Sequence, residues 1–267
     1  MTLTDLQRMV LSVIARNRDS RSYIAGGAAL NRDRPRISDD LDVFHDAAND
    51  VAATVERDMA ALRAAGFSVE EAFRSAGTVE AIVRQYGFET RIQWMEETQR
   101  RFFPLVPDSQ FGVRLHDADL AVNKVLCAAE RGKPRDTVDL VEIARDYCPL
   151  GPLIWAAAAK SSFGPGRMIE EIRANARGHA PEELGAVRMS DGSEIDPARV
   201  RALLRDALAQ AERYILGGAP DARPGLLFVD REERPVEADD AMLARGEARA
   251  LPCEILGDSN PTVPRDR

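Results

Sequence analysis

At 267 residues, with 45% hydrophobic and 30% charged side chains, the chain suits one large or two modest domains and can bury a real core. A formal charge of -8 argues against a protein that coats nucleic acid, but it leaves room for a local basic patch. Cys127, Cys148 and Cys253 are far apart and odd in number, which excludes a disulfide framework or a Cys-x-x-Cys zinc site and makes a reducing cytoplasm the expected setting.

The first residues, "MTLTDLQRMVLSVIARN", carry Asp5 and Arg8 within an apolar pattern. That pattern predicts an amphipathic helix over Leu3 to Arg16 rather than a signal peptide. "SYIAGG" predicts a short strand entering a glycine turn, "AALN" a helical turn, and "DLDVFH" a second strand. A helix is expected over Val51 to Ala65. Two β-rich runs, "VEAIVRQYG" and "FETRIQWM", then meet at Gly87 as a hairpin.

From Asp117 the pattern becomes helical, with candidates at Ala118–Arg131, Asp136–Tyr147, Leu150–Lys160, Arg167–Ala176 and Pro197–Leu216. The apolar run "PLGPLIWAAAAK" is too short to cross a bilayer, so no membrane partner is expected. Asp191-Gly192 marks a tight turn, "LLFVD" a further strand, and "GDSNPTVPRDR" a loose tail. The resulting fold class is α+β: a small mixed sheet with flanking helices, then a helical C-terminal half. The expected domains are residues 1–116, a helical domain over 117–217 that completes the site, and a partly irregular extension over 218–267.

Asp40 and Asp42 are two like charges on a strand. Alternation sends both to one face while Leu41 and Val43 face the core, and it spaces the acids roughly 6–7 Å apart. Such a pair can hold one cation or bracket two, and magnesium (or manganese) suits hard carboxylate and phosphate oxygens. Without a cation the two acids repel each other. Gly26 and Gly27 allow a phosphate close to the backbone, although a glycine pair alone is common turn chemistry. Lys124 lies on a helix flank, and pattern alone favours a stem packed on apolar neighbours with its ammonium in water. Asp136 and Asp139 share a helix side with Leu140, Ile143 and Tyr147, which fits either a buried polar network or plain capping.

The order Gly-Gly-x-Ala-Leu, then "RISDDLDVF", resembles the polymerase β-like nucleotidyltransferase superfamily. More narrowly it resembles the nucleotidyltransferase-like toxins of bacterial abortive-infection and toxin–antitoxin systems, of the AbiEii type. The match uses Gly26, Gly27, Ala29, Leu30, Arg36, Ser38, Asp40, Leu41 and Asp42, with Val43 in the usual aromatic place. It continues in "DLAVNKVLCAAERGKPRDTVDL", covering about Tyr23 to Leu140.

The resemblance implies Asp40 and Asp42 as metal ligands and catalytic groups, and Gly26, Gly27, Arg36 and Ser38 as nucleotide-binding residues. It makes Lys124 a ligand of the triphosphate and gives Asp139 a catalytic role, with Asp136 less firmly assigned. It also implies a nucleoside triphosphate substrate, an acceptor hydroxyl on a tRNA end or a protein, and an antitoxin partner.

One departure concerns the third carboxylate that such transferases carry on a neighbouring strand. Gln93 stands at the centre of "TRIQWMEE", and an amide cannot accept a proton. Glu89 and Glu96 are the acids nearby, and either the site works without that base, with Asp136 or Asp139 substituting, or the protein binds nucleotide and transfers slowly. A non-catalytic nucleotide- or partner-binding module, which Gln93 favours, and a small-molecule transferase of the antibiotic-modifying kind stay open as other readings. His45, His116 and His179 show no metal spacing, and basic clusters such as "NRDRPR" and "ERGKPR" flank the motifs.

Overall fold

A computed structural model describes residues 3–97 and 99–255; the expected tail at "GDSNPTVPRDR" lies outside the described residues. The chain divides into two compact units, one of residues up to 117 and one of Ala118–Glu254.

The first unit is built on a mixed sheet. Its strands are β1 (Ser22–Ala25), β2 (Asp40–His45), β3 (Ser68–Arg74), β4 (Thr78–Gln85) and β5 (Phe88–Glu96). A two-residue extended piece, β6 (Arg100–Arg101), precedes β7 (Val106–Asp108) and β8 (Gly112–Arg114). Across the sheet the order is β3-β4-β5-β2-β1-β8-β7. β2 runs parallel to β5 and antiparallel to β1, so the acidic strand lies inside the sheet rather than at its edge. The β4–β5 hairpin expected at Gly87 forms, and its two-residue loop is Tyr86 and Gly87, both with positive φ.

Helices α1 (Asp5–Ile14) and α3 (Ala48–Ala64) pack together and against β5. The α1 face presents Leu6, Val10, Leu11 and Ile14 to the core; from α3 come Val51, Val55, Met59 and Leu62. Leu41, Val43, Ile92, Trp94, Val79, Ala81 and Val83 are the inward residues of β2, β5 and β4. The opposite face of these strands mixes polar residues, among them Asp40, Asp42, Gln93 and Glu80, with the apolar Phe44, Met95 and Ile82. A buried polar anchor ties the core layers together: Asp58 of α3 accepts from Arg18 at 2.5 Å, from Asn17 at 2.8 Å and from Trp94 Nε1 at 2.8 Å.

The second unit is a helical assembly of α4 (Asp117–Glu130, whose first residue belongs to the first unit), α5 (Pro134–Asp146), α6 (Leu150–Ala157), α7 (Pro165–Gly178), α8 (Pro181–Gly185) and α9 (Pro197–Arg213). A π-helical turn follows at Tyr214–Gly218, then strand β9 (Leu226–Val229), helix α10 (Asp240–Ala244) and strand β10 (Arg249–Pro252). β9 pairs with β10, and Phe228 joins Trp155, Ala238 and Ala248 in a small core. Residues 218–254 are therefore packed onto the helices of this unit. No helix among the described residues is long and apolar enough to cross a membrane.

His45, at the inner end of β2, is fully buried beside Ser22 Oγ, 3.1 Å from its Nε2. Burial, assisted by the charge of Arg18, pushes its pKa down from 6.5 to about 4. Between these values the unfolded chain takes up a proton that the folded chain refuses. Stability contributed by neutral His45 is thus full above pH 6.5 and lost as pH falls towards 4. The loss approaches about 3 kcal/mol. Denaturant titrations of wild type and His45→Gln over this range should differ in slope by close to one proton, with the wild type the steeper.

Candidate active site

The site begins at the end of β1. Ala25 pairs across the sheet with Asp42, so the chain enters α2 (Gly26–Leu30) directly beside the Asp42 side chain. Gly26 takes φ +64°, and a Cβ there would overlap the Asp42 carboxylate. The carboxylate therefore lies over the turn in space that only glycine leaves free. A Cβ at Gly27 would stand 2.7 Å from both Arg36 Nη2 and Ser38 Oγ. Gly26 is thus required by its backbone and by Asp42, while a side chain at Gly27 would have to displace the tips of Arg36 and Ser38.

Asp40 and Asp42 are half-buried, while Leu41 and Val43 are fully buried, the alternation expected from the sequence. Ser38 Oγ donates to Asp40 Oδ1 at 3.3 Å. Arg36 is only 2% exposed and braces the turn from within, donating to the Ile37 carbonyl at 2.8 Å. Asn31 closes α2 by donating through its backbone and its side chain to the Gly27 carbonyl, each at 3.0 Å.

Gln7 extends this support to α1. Its backbone N–H and side-chain oxygen complete a capping box with Thr4, and its Nε2 donates to the Ser38 carbonyl at 2.9 Å. The sequence signal was Thr4-x-x-Gln7 at the helix start; its reach to Ser38, 31 residues on, needed the fold.

Gly26, Gly27, Arg36, Ser38, Asp40 and Asp42 therefore form one cluster. Two carboxylates and a hydroxyl are hard oxygen donors that could hold a divalent cation. Among the described residues no group of three or more His, Cys, Asp or Glu forms a self-sufficient metal cage. That donor set matches an ion that completes its shell with phosphate oxygens and water.

Next to Asp42 in the sheet is Gln93, and next to Gln93 is Glu80 of β4. Gln93 Nε2 donates to Glu80 Oε2 at 2.6 Å. Glu80 was missed because its strand reads as ordinary β sequence; only the register places it in the row of Asp42.

The second unit carries its own cluster. Lys124 of α4 is 5% exposed, and its ammonium lies 2.8 Å from Asp136 Oδ1 and 2.9 Å from Asp139 Oδ2. Asp136 also accepts from Arg131 at 3.0 Å. Burial would raise the Asp136 pKa, but Lys124 and Arg131 outweigh it and hold the carboxyl below its usual range. Lys124 therefore does not extend its ammonium into water, and Asp136 serves the lysine; α5 has no side-chain cap. Nearby, Lys160 reaches Asn123 at 3.0 Å and the fully buried Asp119 at 3.2 Å.

No family model and no curated protein sequence matches the chain. Among solved structures, it is similar to MenT4, a nucleotidyltransferase toxin from Mycobacterium tuberculosis, at 17% identity and a TM-score of 0.53. The match covers 78% of this chain and 82% of the other. JHP933 from Helicobacter pylori is 15% identical over 79% of this chain and 95% of its own, with a TM-score of 0.44. The first likeness establishes the fold: this chain shares the architecture of a nucleotidyltransferase toxin.

Gly26→Ala should destabilise the protein by about 1–3 kcal/mol through its left-handed backbone and, in addition, displace Asp42. Denaturant unfolding and manganese binding by calorimetry will read the two effects. In the second unit, Lys124→Met should cost about 3–5 kcal/mol by leaving buried carboxylates uncompensated. Adding Asp136→Asn and Asp139→Asn should recover part of that loss in the same unfolding measurement.

Proposed function

We propose that the chain is a metal-dependent nucleotidyltransferase that moves a nucleoside monophosphate from a nucleoside triphosphate to an acceptor hydroxyl. The observation that carries this reading is the Asp42 carboxylate lying over Gly26, with Asp40 and Ser38 beside it. Asp40 and Asp42 hold magnesium or manganese, and the Gly26-Gly27 turn and Ser38 receive phosphate oxygens. The bound ion neutralises phosphate charge. Arg36, buried beneath the turn, keeps Gly27 and Ser38 in register.

The chain's own contribution is to orient the triphosphate and keep the two acids pointed at one place, so catalysis is mostly positioning and charge stabilisation. Roles for Lys124 and Asp139 in the reaction rest on the sequence resemblance alone.

The reading extends to a growth-arresting role, in line with the toxin whose fold the chain shares; an acceptor on a tRNA end or a protein, and an antitoxin partner in the cytoplasm, rest on the sequence resemblance. The reaction is tested by incubating the protein with each α-labelled nucleoside triphosphate, magnesium and total tRNA. Label should appear in RNA, and Asp42→Asn should reduce transfer by at least about 10²-fold while unfolding like wild type. Nucleotide binding without transfer to RNA, protein or an aminoglycoside would refute the transferase reading.

A further inference from the structure

The row that carries Asp42 continues beyond Gln93. Asp42 on β2 pairs with Gln93 on β5, which pairs with Glu80 on β4, so all three side chains leave the same face of the sheet. Glu80 is held on both oxygens: Gln93 Nε2 donates to Oε2 at 2.6 Å, and Arg91 Nε lies 3.2 Å from Oε1. Its side chain is 20% exposed, enclosed yet reachable.

An ion pair to a half-exposed arginine alone would be ordinary surface chemistry. Glu80 differs because its other partner, Gln93, is the sheet neighbour of Asp42. Two strand spacings, about 9.6 Å, separate the backbones of Asp42 and Glu80. A hydroxyl placed over Gln93 would have the Asp40–Asp42 pair on one side and the Glu80 carboxylate on the other.

We infer that Glu80 accepts the proton of the attacking hydroxyl and that Gln93 is its positioning residue. This rests on the transferase reading above. In the step, the acceptor O–H bond breaks and its proton goes to a Glu80 oxygen. The freed electron pair forms the bond to the α-phosphorus. The bond from that phosphorus to the oxygen bridging to the β-phosphate breaks, its electron pair leaving with pyrophosphate. Glu80 then returns the proton to solvent. An amide at residue 93 cannot take the proton, but its NH2 group can aim a carboxylate that does.

The test measures label transfer to total tRNA across a range of pH for wild type, Glu80→Gln, Gln93→Leu and Asp42→Asn, with unfolding curves for each. Glu80→Gln should lower kcat by about 10²-fold or more, leave the KM for the triphosphate within about twofold, and flatten the acid side of the pH–rate profile. Gln93→Leu should lower kcat less and keep that acid side. Wild-type kcat in Glu80→Gln beside an inactive Asp42→Asn overturns the inference and leaves the transferase reading standing. A loss in Glu80→Gln with an unchanged pH profile also overturns it, because that marks a structural role. Absence of transfer by the wild type overturns both readings.

Discussion

A carboxylate can lie over the first turn of α2 only because residue 26 has no side chain. Any Cβ there would occupy the space of the Asp42 carboxylate, and the positive φ makes the backbone itself costly for other residues. Much of the first unit maintains this contact. Antiparallel pairing sets Ala25 opposite Asp42, Arg36 fills the space under Gly27, and Asn31 closes the short helix on the Gly27 carbonyl. Gln7 ties the neighbouring Ser38 backbone to α1, and the core face of the sheet ties α1 to α3 and β5. Two acids on one strand face repel each other, and the cation proposed for them would offset that repulsion.

The same economy of charge appears in the second unit with opposite means. Lys124 reaches both Asp136 and Asp139, and Arg131 reaches Asp136, in a site where both aspartates are wholly buried. Such an arrangement depends on each member, because removing one leaves a buried charge with less compensation in a low-dielectric interior. The residue choice fits this geometry. Of 36 basic residues only Lys124, Lys133 and Lys160 are lysines, and Lys124 and Lys160 are the two drawn onto buried aspartates. A compact ammonium can sit between two carboxylates where a planar guanidinium would need a wider fork.

Elements with a strong period were legible from sequence. The strand over Asp40–His45, the hairpin at Gly87 and the helices from α4 to α9 (apart from α8) follow from alternation, turn residues and helical spacing. The three-residue strands β7 and β8 were not, since they have too few residues to show alternation and are made by pairing with each other and with β1. Helix α8 is one turn long and escaped for the same reason. Within the site, the Gly26–Gly27 and Asp40–Asp42 cluster was visible because unusual residues stand close in sequence. Gln7 and Glu80 were not, because their roles come from contacts across 31 residues and across sheet register. The period also favoured a solvated Lys124 ammonium, and the fold overrides it by placing two aspartates within 3 Å.

The central claim is that Asp40 and Asp42 share a divalent ion with a polyphosphate lying against the paired glycines. A crystal structure with manganese and a non-hydrolysable nucleoside triphosphate tests it most directly, through anomalous scattering. The account predicts a manganese peak within about 2.0–2.2 Å of an oxygen from each aspartate, with phosphate density between that peak and the Gly26-Gly27 backbone. Nucleotide bound with no such peak, or with the two carboxylates turned away from it, would contradict the account.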